Sequence, residues 1–341
     1  MMSAFLAEYG LFLLKTLTIV VAIVLIIGAA AAAGKRASQV ETLEVESLNE
    51  RYENLSTALK RAVLDKNAFK AQAKVLKKKL KEAAKAQKRR PRTFVIDFKG
   101  DLKASAVPSL RQEVSAILAV AENEDDVIVR LENYGGVVHE HGLAASQLVR
   151  LRDRNLPLTV VVDKVAASGG YLMACVANRI VAAPFAILGS IGVIAQLPNF
   201  NRMLDSHGVD FEQVTAGDYK RNVTMFGKNT DADRARLKEQ LEDVHTLFKS
   251  AVGLYRPDLD LARVATGEHW YGTRALELGL ADELQTSDEL LAARVAERDL
   301  YLVTYKIKQP LQKRLAAGID SSLEKLDAAR WRRGIESRLP R

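Results

Sequence analysis

From residue 93 onward, short apolar runs alternate with helix-forming stretches, and this alternation constrains the fold more than any other feature of the chain. The apolar runs are TFVIDF (93–98), VIVRL (127–131), LTVVV (158–162) and RIVAA (179–183). The helix-forming stretches lie near 106–121, 142–154 and 169–177. Apolar strands that alternate with helices are typical of a parallel sheet buried on both faces. We therefore predict an α/β domain of repeated strand–helix units over residues 93–300, with its functional loops at the carboxyl ends of the strands.

A second kind of apolar run lies near the amino terminus. From Thr16 to Ala33 the sequence has 18 residues without a charge. As a helix these would span about 27 Å, close to the hydrocarbon thickness of a bilayer. Residues 1–34 are therefore predicted to be a single transmembrane anchor. A cleaved signal peptide is the alternative, but the preceding segment contains Glu8 and no cluster of positive charge.

Residues 35–92 are predicted to form a basic helical stem. They carry 17 Lys and Arg against 7 Asp and Glu, so their net charge of +10 exceeds the +8 of the whole chain. Between Val45 and Ala83, mostly apolar residues recur at heptad spacing without proline or glycine, which predicts a long helix able to form a coiled coil with its copies. The basic run 74–92 could bind nucleic acid, but beside a membrane segment and with few aromatics we expect no such partner. A solvated helix face, anionic lipid and a simple linker remain open.

Composition places further limits on the chain. With 48% hydrophobic and 27% charged residues, it is neither disordered nor a multi-span membrane protein. The lone Cys175 has no partner within the chain for a disulfide. The apolar stretch from Ile180 to Leu197 is interrupted by Pro184 and by glycines, so we assign it to the core as strand, loop and strand. Residues 301–341 are predicted to be a strand followed by a basic amphipathic helix that packs on its own domain, on a neighbouring subunit or at the membrane surface.

Two glycine-rich loops follow predicted strands. They read E-N-Y-G-G-V-V after VIVRL and D-K-V-A-A-S-G-G-Y after LTVVV. Paired glycines let backbone approach a substrate closely, and a helix start adds unpaired N–H groups and a positive dipole end. Ser168 is therefore a candidate nucleophile, with the amides of Gly136 and Gly169 as a candidate oxyanion hole. The alternative is that Ser168 merely caps a helix.

A nucleophilic serine needs a base, and the residues alone leave two possibilities. His139 and His141 follow the first glycine loop and could approach Ser168 in a Ser-His arrangement. Lys220, in T-A-G-D-Y-K-R after the strand-like FEQVTA, is the other candidate. A lysine base must be neutral, which requires burial or a nearby cation to lower its pKa from about 10.4. Ser190, in L-G-S-I-G-V, could orient such an amine.

Three motifs in this order resemble the signal peptide peptidase A family of membrane-anchored serine proteases, peptidase family S49. They are V-A-A-S-G-G-Y around Ser168, G-S-I-G-V around Ser190 and A-G-D-Y-K around Lys220. The 52-residue interval from Ser168 to Lys220 also agrees with that family. The resemblance covers residues 93–300 and, by architecture, the anchor and the charged stem. It implies the fold of the ClpP/crotonase superfamily, which is consistent with the repeated strand–helix units.

The resemblance also implies a Ser-Lys dyad. Ser168 would be the nucleophile, Lys220 the general base and Ser190 the residue that hydrogen-bonds the lysine, while Gly136 and Gly169 would supply oxyanion amides. It implies no metal and no cofactor, and peptide or protein substrates. It further implies a homo-oligomer, because in the bacterial family the dyad is often assembled between neighbouring protomers of a ring. We accordingly expect a membrane-anchored serine endopeptidase acting on membrane-derived or misfolded peptides.

Two other functions remain open at this point. A crotonase-like acyl-CoA enzyme would use the same oxyanion loops, although it needs neither the serine nor the lysine. A non-catalytic membrane scaffold would use the stem to assemble partners. One departure from the family is that residues 133–136 read N-Y-G-G where S-P-G-G is common, so both glycines are kept and a proline is lost. Glu268 and His269 lie in a segment similar to one before the family's final helix, and we expect them to set a turn and packing rather than to act as an acid–base pair.

The location implied by the resemblance is the bacterial inner membrane, with a single span. Lys35, Arg36 and the basic stem follow the predicted span directly, and the positive-inside rule then leaves the domain in the cytoplasm. Related signal peptide peptidases are generally thought to work on the outer side of that membrane. The side on which the domain lies therefore stays open.

Overall fold

A computed structural model describes residues 9–23, 41–71, 74–75, 90–217, 220 and 223–307. The chain divides into two units, one of residues 1–43 with 305–341 and one of residues 44–304. In the first unit, residues 9–23 form helix α1, and the Tyr305 hydroxyl donates a hydrogen bond to Glu41 over 2.6 Å. Within the described residues, no helix combines the length and the apolar character needed to cross a membrane. The second half of the predicted span, residues 24–33, lies outside the described part of the chain.

The strands form one ten-stranded sheet among the described residues. They are β1 (Glu41–Ser47), β2 (Arg92–Gly100), β3 (Asp126–Asn133), β4 (Leu158–Val162), β5 (Val165–Ala167), β6 (Arg179–Ala182), β7 (Ile187–Gly189), β8 (His269–Tyr271), β9 (Glu283–Leu284) and β10 (Asp299–Ile307). The helices after α1 are α2 (Leu48–Val63), α3 (66–71), α4 (Val107–Val120), α5 (Val138–Asp153), α6 (Gly169–Ala174), α7 (Asn201–Ser206), α8 (Asp231–Tyr255), α9 (Leu261–Val264), α10 (Gly272–Glu277) and α11 (Ser287–Val295).

The main path of the sheet has the order β1-β10-β2-β3-β4-β6-β9. From β2 to β9 each neighbouring pair is parallel, as is β10 with β2. A short branch leaves the path, in which β5 pairs with β3 and with β7 in parallel, and β7 pairs with β8 antiparallel. The four apolar runs of the sequence become β2, β3, β4 and β6, so the mixed α/β fold is confirmed.

Both faces of the sheet are buried. Successive side chains of a strand point to opposite sides, so the apolar residues of β2 divide between two core clusters. On one face Phe94, Ile96 and Phe98 join the larger apolar core under the helices that follow the strands. On the other face Val95 packs in a smaller cluster with Leu290 of α11 and other apolar side chains. Full burial of one large apolar side chain stabilises the fold by about 1.5–3 kcal/mol. A strand buried on both faces therefore needs apolar residues at odd and even positions alike, which explains the continuous apolar runs.

The prediction of an unbroken helical stem from Val45 is wrong at its start. Residues 41–47 form β1, in which Leu43 and Val45 alternate with glutamates at the period of a strand. Leu48 at the start of α2 is buried in the smaller core cluster, and Asn49 accepts a hydrogen bond from the Leu300 amide over 2.7 Å. Leu48 and Asn49 of the predicted stem thus pack within the unit of residues 44–304 rather than in a free coiled coil.

The helical stem is also interrupted at residues 64–65. There the Asp65 carboxylate accepts hydrogen bonds from the amides of Asn67 and Ala68, at 2.8 and 2.9 Å, and so begins α3 as a new helix. Residues 72–73 and 76–89 lie outside the described residues, as does the predicted C-terminal helix beyond residue 307. The predicted C-terminal strand is present as β10.

Three further expectations concern the region of the site. Helix α5 begins at Val138, four residues earlier than predicted, directly after the first glycine loop. The stretch from Ile180 to Leu197 contributes β6 and β7, as the strand–loop–strand interpretation predicts. The strand-like segment 211–216 does not form a strand, because these residues have no regular structure and are exposed to solvent.

Candidate active site

Ser168 lies at the junction of β5 and α6 in an unusual backbone conformation. Its φ is +53°, its amide donates to the Gly189 carbonyl over 2.8 Å, and its side chain is half-buried. Residues other than glycine rarely adopt positive φ, and the strain of doing so is concentrated at functional sites. Ser168 occupies the N-cap position of α6, but within this described segment its side chain makes no capping hydrogen bond.

The first glycine loop lies directly against this serine. A Cβ atom on Gly135, whose φ is +84°, would lie 2.7 Å from the Gly169 nitrogen and 2.8 Å from the Ser168 Cβ. A Cβ atom on Gly136 would lie 2.2 Å from the Leu102 carbonyl oxygen. Neither position has space for a side chain, so the two glycines allow the loop to reach the start of α6.

Two backbone amides in this region have no partner within the described structure. The Gly136 N–H donates no hydrogen bond to another described residue. The Gly169 N–H is the first of α6, a position that has no acceptor within its own helix. Two free N–H groups on adjoining segments beside a serine hydroxyl have the composition of an oxyanion hole.

Ser190 lies beside Ser168 in the branch of the sheet. Ala167 and Gly189 are a register pair of β5 and β7, so the two serines follow neighbouring paired residues. Ser190 also has a positive φ, of +52°, and its amide donates to the Glu268 carbonyl over 2.6 Å. The structure therefore brings together Ser168, Ser190 and the residues with the two free amides.

The Glu268 and His269 pair takes part in this backbone arrangement. Glu268 supplies the carbonyl that holds Ser190, and its carboxylate accepts a hydrogen bond from the Thr266 hydroxyl over 3.0 Å. His269 pairs with Gly189 through β8. Burial lowers the pKa of His269, and the Glu268 charge opposes that shift. These contacts agree with the prediction that the pair sets a turn and packing.

Lys220 is the one predicted site residue that the structure does not join to the others. Its side chain is exposed, and its amide donates to the Gly217 carbonyl over 3.2 Å. Among the hydrogen bonds of the described residues, none links Lys220 to Ser168 or Ser190. Most of residues 194–217, which lead to Lys220, are exposed as well.

The two histidines that follow the glycine loop are not placed as bases. The His139 side chain is 82% exposed and lies near Glu140. His141 is completely buried, with Nδ1 3.0 Å from the Val137 carbonyl oxygen and Nε2 3.2 Å from Asn133 Oδ1. Burial lowers the pKa of His141, while its contact with the Val137 carbonyl opposes the shift. Both ring nitrogens of His141 are thus occupied behind the glycine loop.

Asn133 is the residue of this site that sequence reasoning passed over. It is fully buried at the end of β3, and its Oδ1 accepts a hydrogen bond from the Gly135 amide over 2.9 Å. The sequence contained one signal of it, since Asn133 stands at the first position of N-Y-G-G, where the family commonly has serine.

Comparison with known proteins identifies the class to which this fold and site belong. The family models described as Peptidase family S49 N-terminal and Peptidase family S49 match residues 4–148 and 150–300. The chain belongs to peptidase family S49 and is a serine protease.

Several of the curated proteins that the chain resembles are described as SohB proteases. It is 43% identical over 335 residues to "Probable protease SohB" of Haemophilus influenzae, covering 94% of this chain and 95% of that protein. It is 44% identical over 305 residues to "Probable protease SohB" of Buchnera aphidicola subsp. Schlechtendalia chinensis, covering 85% of this chain and 99% of that protein.

Similar solved structures include two of the 1510-N membrane-bound stomatin-specific protease, both with a TM-score of 0.41. They are 13% and 14% identical to this chain, and cover 60% and 67% of it and 85% and 98% of their own lengths. The second of them is in complex with a substrate peptide.

Proposed function

We propose that this protein is a membrane-anchored serine endopeptidase that hydrolyses peptide bonds through a Ser-Lys dyad. Ser168 attacks the scissile carbonyl, Lys220 takes the serine proton, and the amides of Gly136 and Gly169 stabilise the oxyanion. The lysine ammonium then returns this proton to the leaving nitrogen, so collapse of the tetrahedral intermediate releases the amine product and leaves an acyl-enzyme and a neutral lysine. Water deprotonated by the same lysine then releases the acid product. Ser190 accepts or donates the hydrogen bond that orients the lysine amine.

One observation carries this proposal. Ser168 has a positive φ at the start of α6, and the Gly135–Gly136 loop lies within van der Waals distance of it. A strained serine beside two unpartnered amides is suited to acyl transfer, because the hydroxyl and the oxyanion donors converge on one place.

The general base comes, in this proposal, from a neighbouring subunit of a homo-oligomer. A base must approach the serine hydroxyl within hydrogen-bond distance, and within the described residues Lys220 makes no hydrogen bond to Ser168. The segment before Lys220 exposes several apolar side chains, among them Val214, which is 96% exposed. Exposed apolar patches mark interaction sites, and a second copy of the chain would cover this one while bringing the lysine to the serine.

The substrates that fit this site are extended, apolar peptide segments. Leu102 lies against Gly136 in space, and Val138 follows it by two residues in the chain. The two residues are 54% and 51% exposed. Apolar side chains beside an oxyanion loop favour apolar substrate residues. Membrane-derived and misfolded peptides are rich in such residues, and the proposed anchor at Thr16–Ala33 would hold the protein to the bilayer.

The proposed inner-membrane location leaves two orientations, with the domain on the cytoplasmic or on the outer side. The stem charge of +10 favours the cytoplasm, whereas the location generally attributed to related signal peptide peptidases favours the outer side. A reporter fused after residue 92, active on only one side of a membrane, distinguishes them.

Replacement of the nucleophile tests the chemistry directly. In the full-length protein, Ser168→Ala should lower kcat for peptide hydrolysis by roughly 10³-fold or more, because the acyl-enzyme cannot form. A serine-directed acylating probe should label the wild type and not the variant. The matched control is Ser146→Ala on α5, where the exposed hydroxyl bonds only the Gly142 carbonyl among described groups. Equal hydrolysis by wild type and Ser168→Ala would overturn the proposal.

Mixing two inactive proteins tests the shared dyad. Ser168→Ala and Lys220→Ala should each be inactive alone, and subunit exchange between them should restore part of the activity, because some neighbouring pairs then hold one intact serine and one intact lysine. Exchange is verified by native mass spectrometry of differently tagged chains. No recovery after verified exchange would mean that both residues act within one chain.

A further inference from the structure

We propose that Asn133 and His141 are positioning residues that hold the loop of residues 133–137, and with it the Gly136 amide, in its oxyanion-binding conformation. This inference rests on the proposed function for its catalytic meaning. Neither side chain touches the place where a substrate carbonyl would bind. The two act through the backbone of the glycine loop.

The first step of the argument is the hydrogen bond at the end of β3. Asn133 Oδ1 accepts from the Gly135 amide over 2.9 Å, which closes a turn two residues long. This turn directs Gly135 toward Ser168 Cβ and the Gly169 nitrogen. Without that acceptor, the buried Gly135 N–H would lose its partner, and this conformation of the loop would be disfavoured.

Asn133 is also fixed against two neighbouring elements. A Cβ atom on Gly100 of β2 would lie 2.3 Å from the Asn133 Cγ, and one on Gly170 of α6 would lie 2.2 Å from the Asn133 carbonyl oxygen. The side-chain amide donates to the Met173 sulfur over 3.3 Å. Asn133 is therefore enclosed between β2, α6 and the loop, so its carboxamide has little freedom to turn.

His141 couples this carboxamide to helix α5 and to the nucleophile loop. Its Nε2 lies 3.2 Å from Asn133 Oδ1, and its ring fills the space where a Gly169 Cβ would be, 2.5 Å from Cγ. Gly169 follows Ser168 directly. One buried ring thus contacts both the residue that shapes the first glycine loop and the residue that supplies the second amide.

The hydrogen-bond roles of the pair follow from its neighbours. The Gly135 amide can only donate, so Asn133 Oδ1 is an acceptor, and the His141 Nε2 contact with it is a hydrogen bond in the tautomer that carries its proton on Nε2. His141 Nδ1 faces the Val137 carbonyl, which is also an acceptor, but a neutral imidazole carries a single N–H. Burial lowers the pKa of His141, against the opposing effects of the Val137 carbonyl and of the charges on Asp101, in the loop after β2, and Glu140, on α5. The contact with Asn133 is the one that reaches the side chain holding the Gly135 amide.

The experiment compares substitutions at His141 that keep one contact at a time. In the full-length protein, His141→Phe keeps the ring volume and removes both nitrogens. His141→Gln restores a donor near the Nε2 position, toward Asn133, and His141→Asn restores one near the Nδ1 position, toward Val137. We expect kcat to fall about tenfold or more in His141→Phe and His141→Asn with KM within twofold, and to recover in His141→Gln. His139→Phe, an exposed histidine two residues away, is the matched control and should behave as wild type.

Hydrogen exchange measures the loop without requiring activity. Amide exchange of residues 133–137 should be at least tenfold faster in His141→Phe and in Asn133→Leu, while exchange in β4 should be unchanged. If Asn133→Leu fails to fold, the His141 series decides alone.

The outcomes separate the two proposals. Loop exchange and kcat equal to wild type in both His141→Phe and His141→Asn would overturn the positioning role, even with hydrolysis by Ser168 intact. Equal losses in His141→Gln and His141→Phe would also overturn it, because general packing would then be the cause. A wild type without Ser168-dependent hydrolysis would overturn the proposed function, while the exchange data would still decide whether the pair holds the loop.

Discussion

At the scale of single residues, the candidate site is built from backbone more than from side chains. Ser168 and Ser190 both have positive φ, and Gly135 lies so close to Ser168 that no Cβ fits between them. These positions tolerate little change, because the surrounding strands fix the backbone on both sides. Adding a methyl group at Gly135 should therefore reduce activity, as removing the Ser168 hydroxyl does.

The glycine loop provides the residue-scale prediction. Gly135→Ala should lower kcat about 10²-fold or more, because its methyl would lie 2.7 Å from the Gly169 nitrogen and displace an oxyanion amide. Steady-state peptide hydrolysis measures the effect. Gly142→Ala in α5 is the control, since a Cβ there meets no atom within 4 Å. It should keep full activity and gain up to about 1 kcal/mol of stability. An active Gly135→Ala enzyme would contradict the tight contact.

At the scale of elements, a buried ion pair joins the starts of β2 and β3. Asp125 is 4% exposed and accepts hydrogen bonds from the Arg92 side chain and amide and from the Glu122 amide. A second, partly exposed pair joins the same strands farther along, between Asp97 and Arg130. The two pairs have the same chemistry and span the same two strands, but they differ in burial.

This difference predicts unequal contributions to stability. Asp125→Ala should lower the free energy of unfolding by about 3–5 kcal/mol, because it leaves the Arg92 guanidinium without its buried partner. Asp97→Ala should lower it by about 0–1 kcal/mol, since solvent screens that pair. Urea denaturation of the two variants measures both values. Equal losses would mean that burial does not decide the strength of these pairs.

At the scale of the whole molecule, carboxylates held by arginines and backbone amides make the fold sensitive to acid. Although burial raises it, hydrogen bonds from Arg92 and from two amides hold the pKa of Asp125 below its ordinary 3.8. The pKa of Asp282 is lowered in the same way by Arg256 and the Ile180 amide, again against the effect of burial. Asp282 links the end of α8 to β6, so the two carboxylates secure distant parts of the sheet.

The direction of these shifts sets the pH dependence of unfolding. Because both folded-state pKa values are depressed, their stabilising contributions are fully present above about pH 4 and are lost as pH falls through the lowered values. The free energy of unfolding from urea titrations should therefore fall steeply below pH 4. Asp282→Asn should be less stable at pH 7 and show a shallower acid dependence. An unchanged acid limb in this variant would contradict the assignment.

Much of the fold was accessible from the sequence, and the reason is local. The runs at 93–98, 127–131, 158–162 and 179–183 are apolar on both faces, and only interior strands accommodate them. The stem was predicted less well, because the heptad pattern from Val45 overlaps an alternation of Leu43 and Val45 with glutamates. Residues 41–47 form a strand because they pair with β10, which is distant in the sequence. Such pairing cannot be predicted from a short stretch of sequence.

For the site, the sequence by itself determined which residue types stand where strands end: paired glycines, Ser168, Ser190 and a lysine 52 residues after the nucleophile. Tertiary structure decided which of them meet. Parallel pairing of β5 with β7 places the two serines side by side, and burial behind the loop turns His141 from a candidate base into a partner of Asn133. Lys220 stays apart because its segment is exposed. Distances between residues far apart in sequence depend on strand order and packing, which local patterns do not encode.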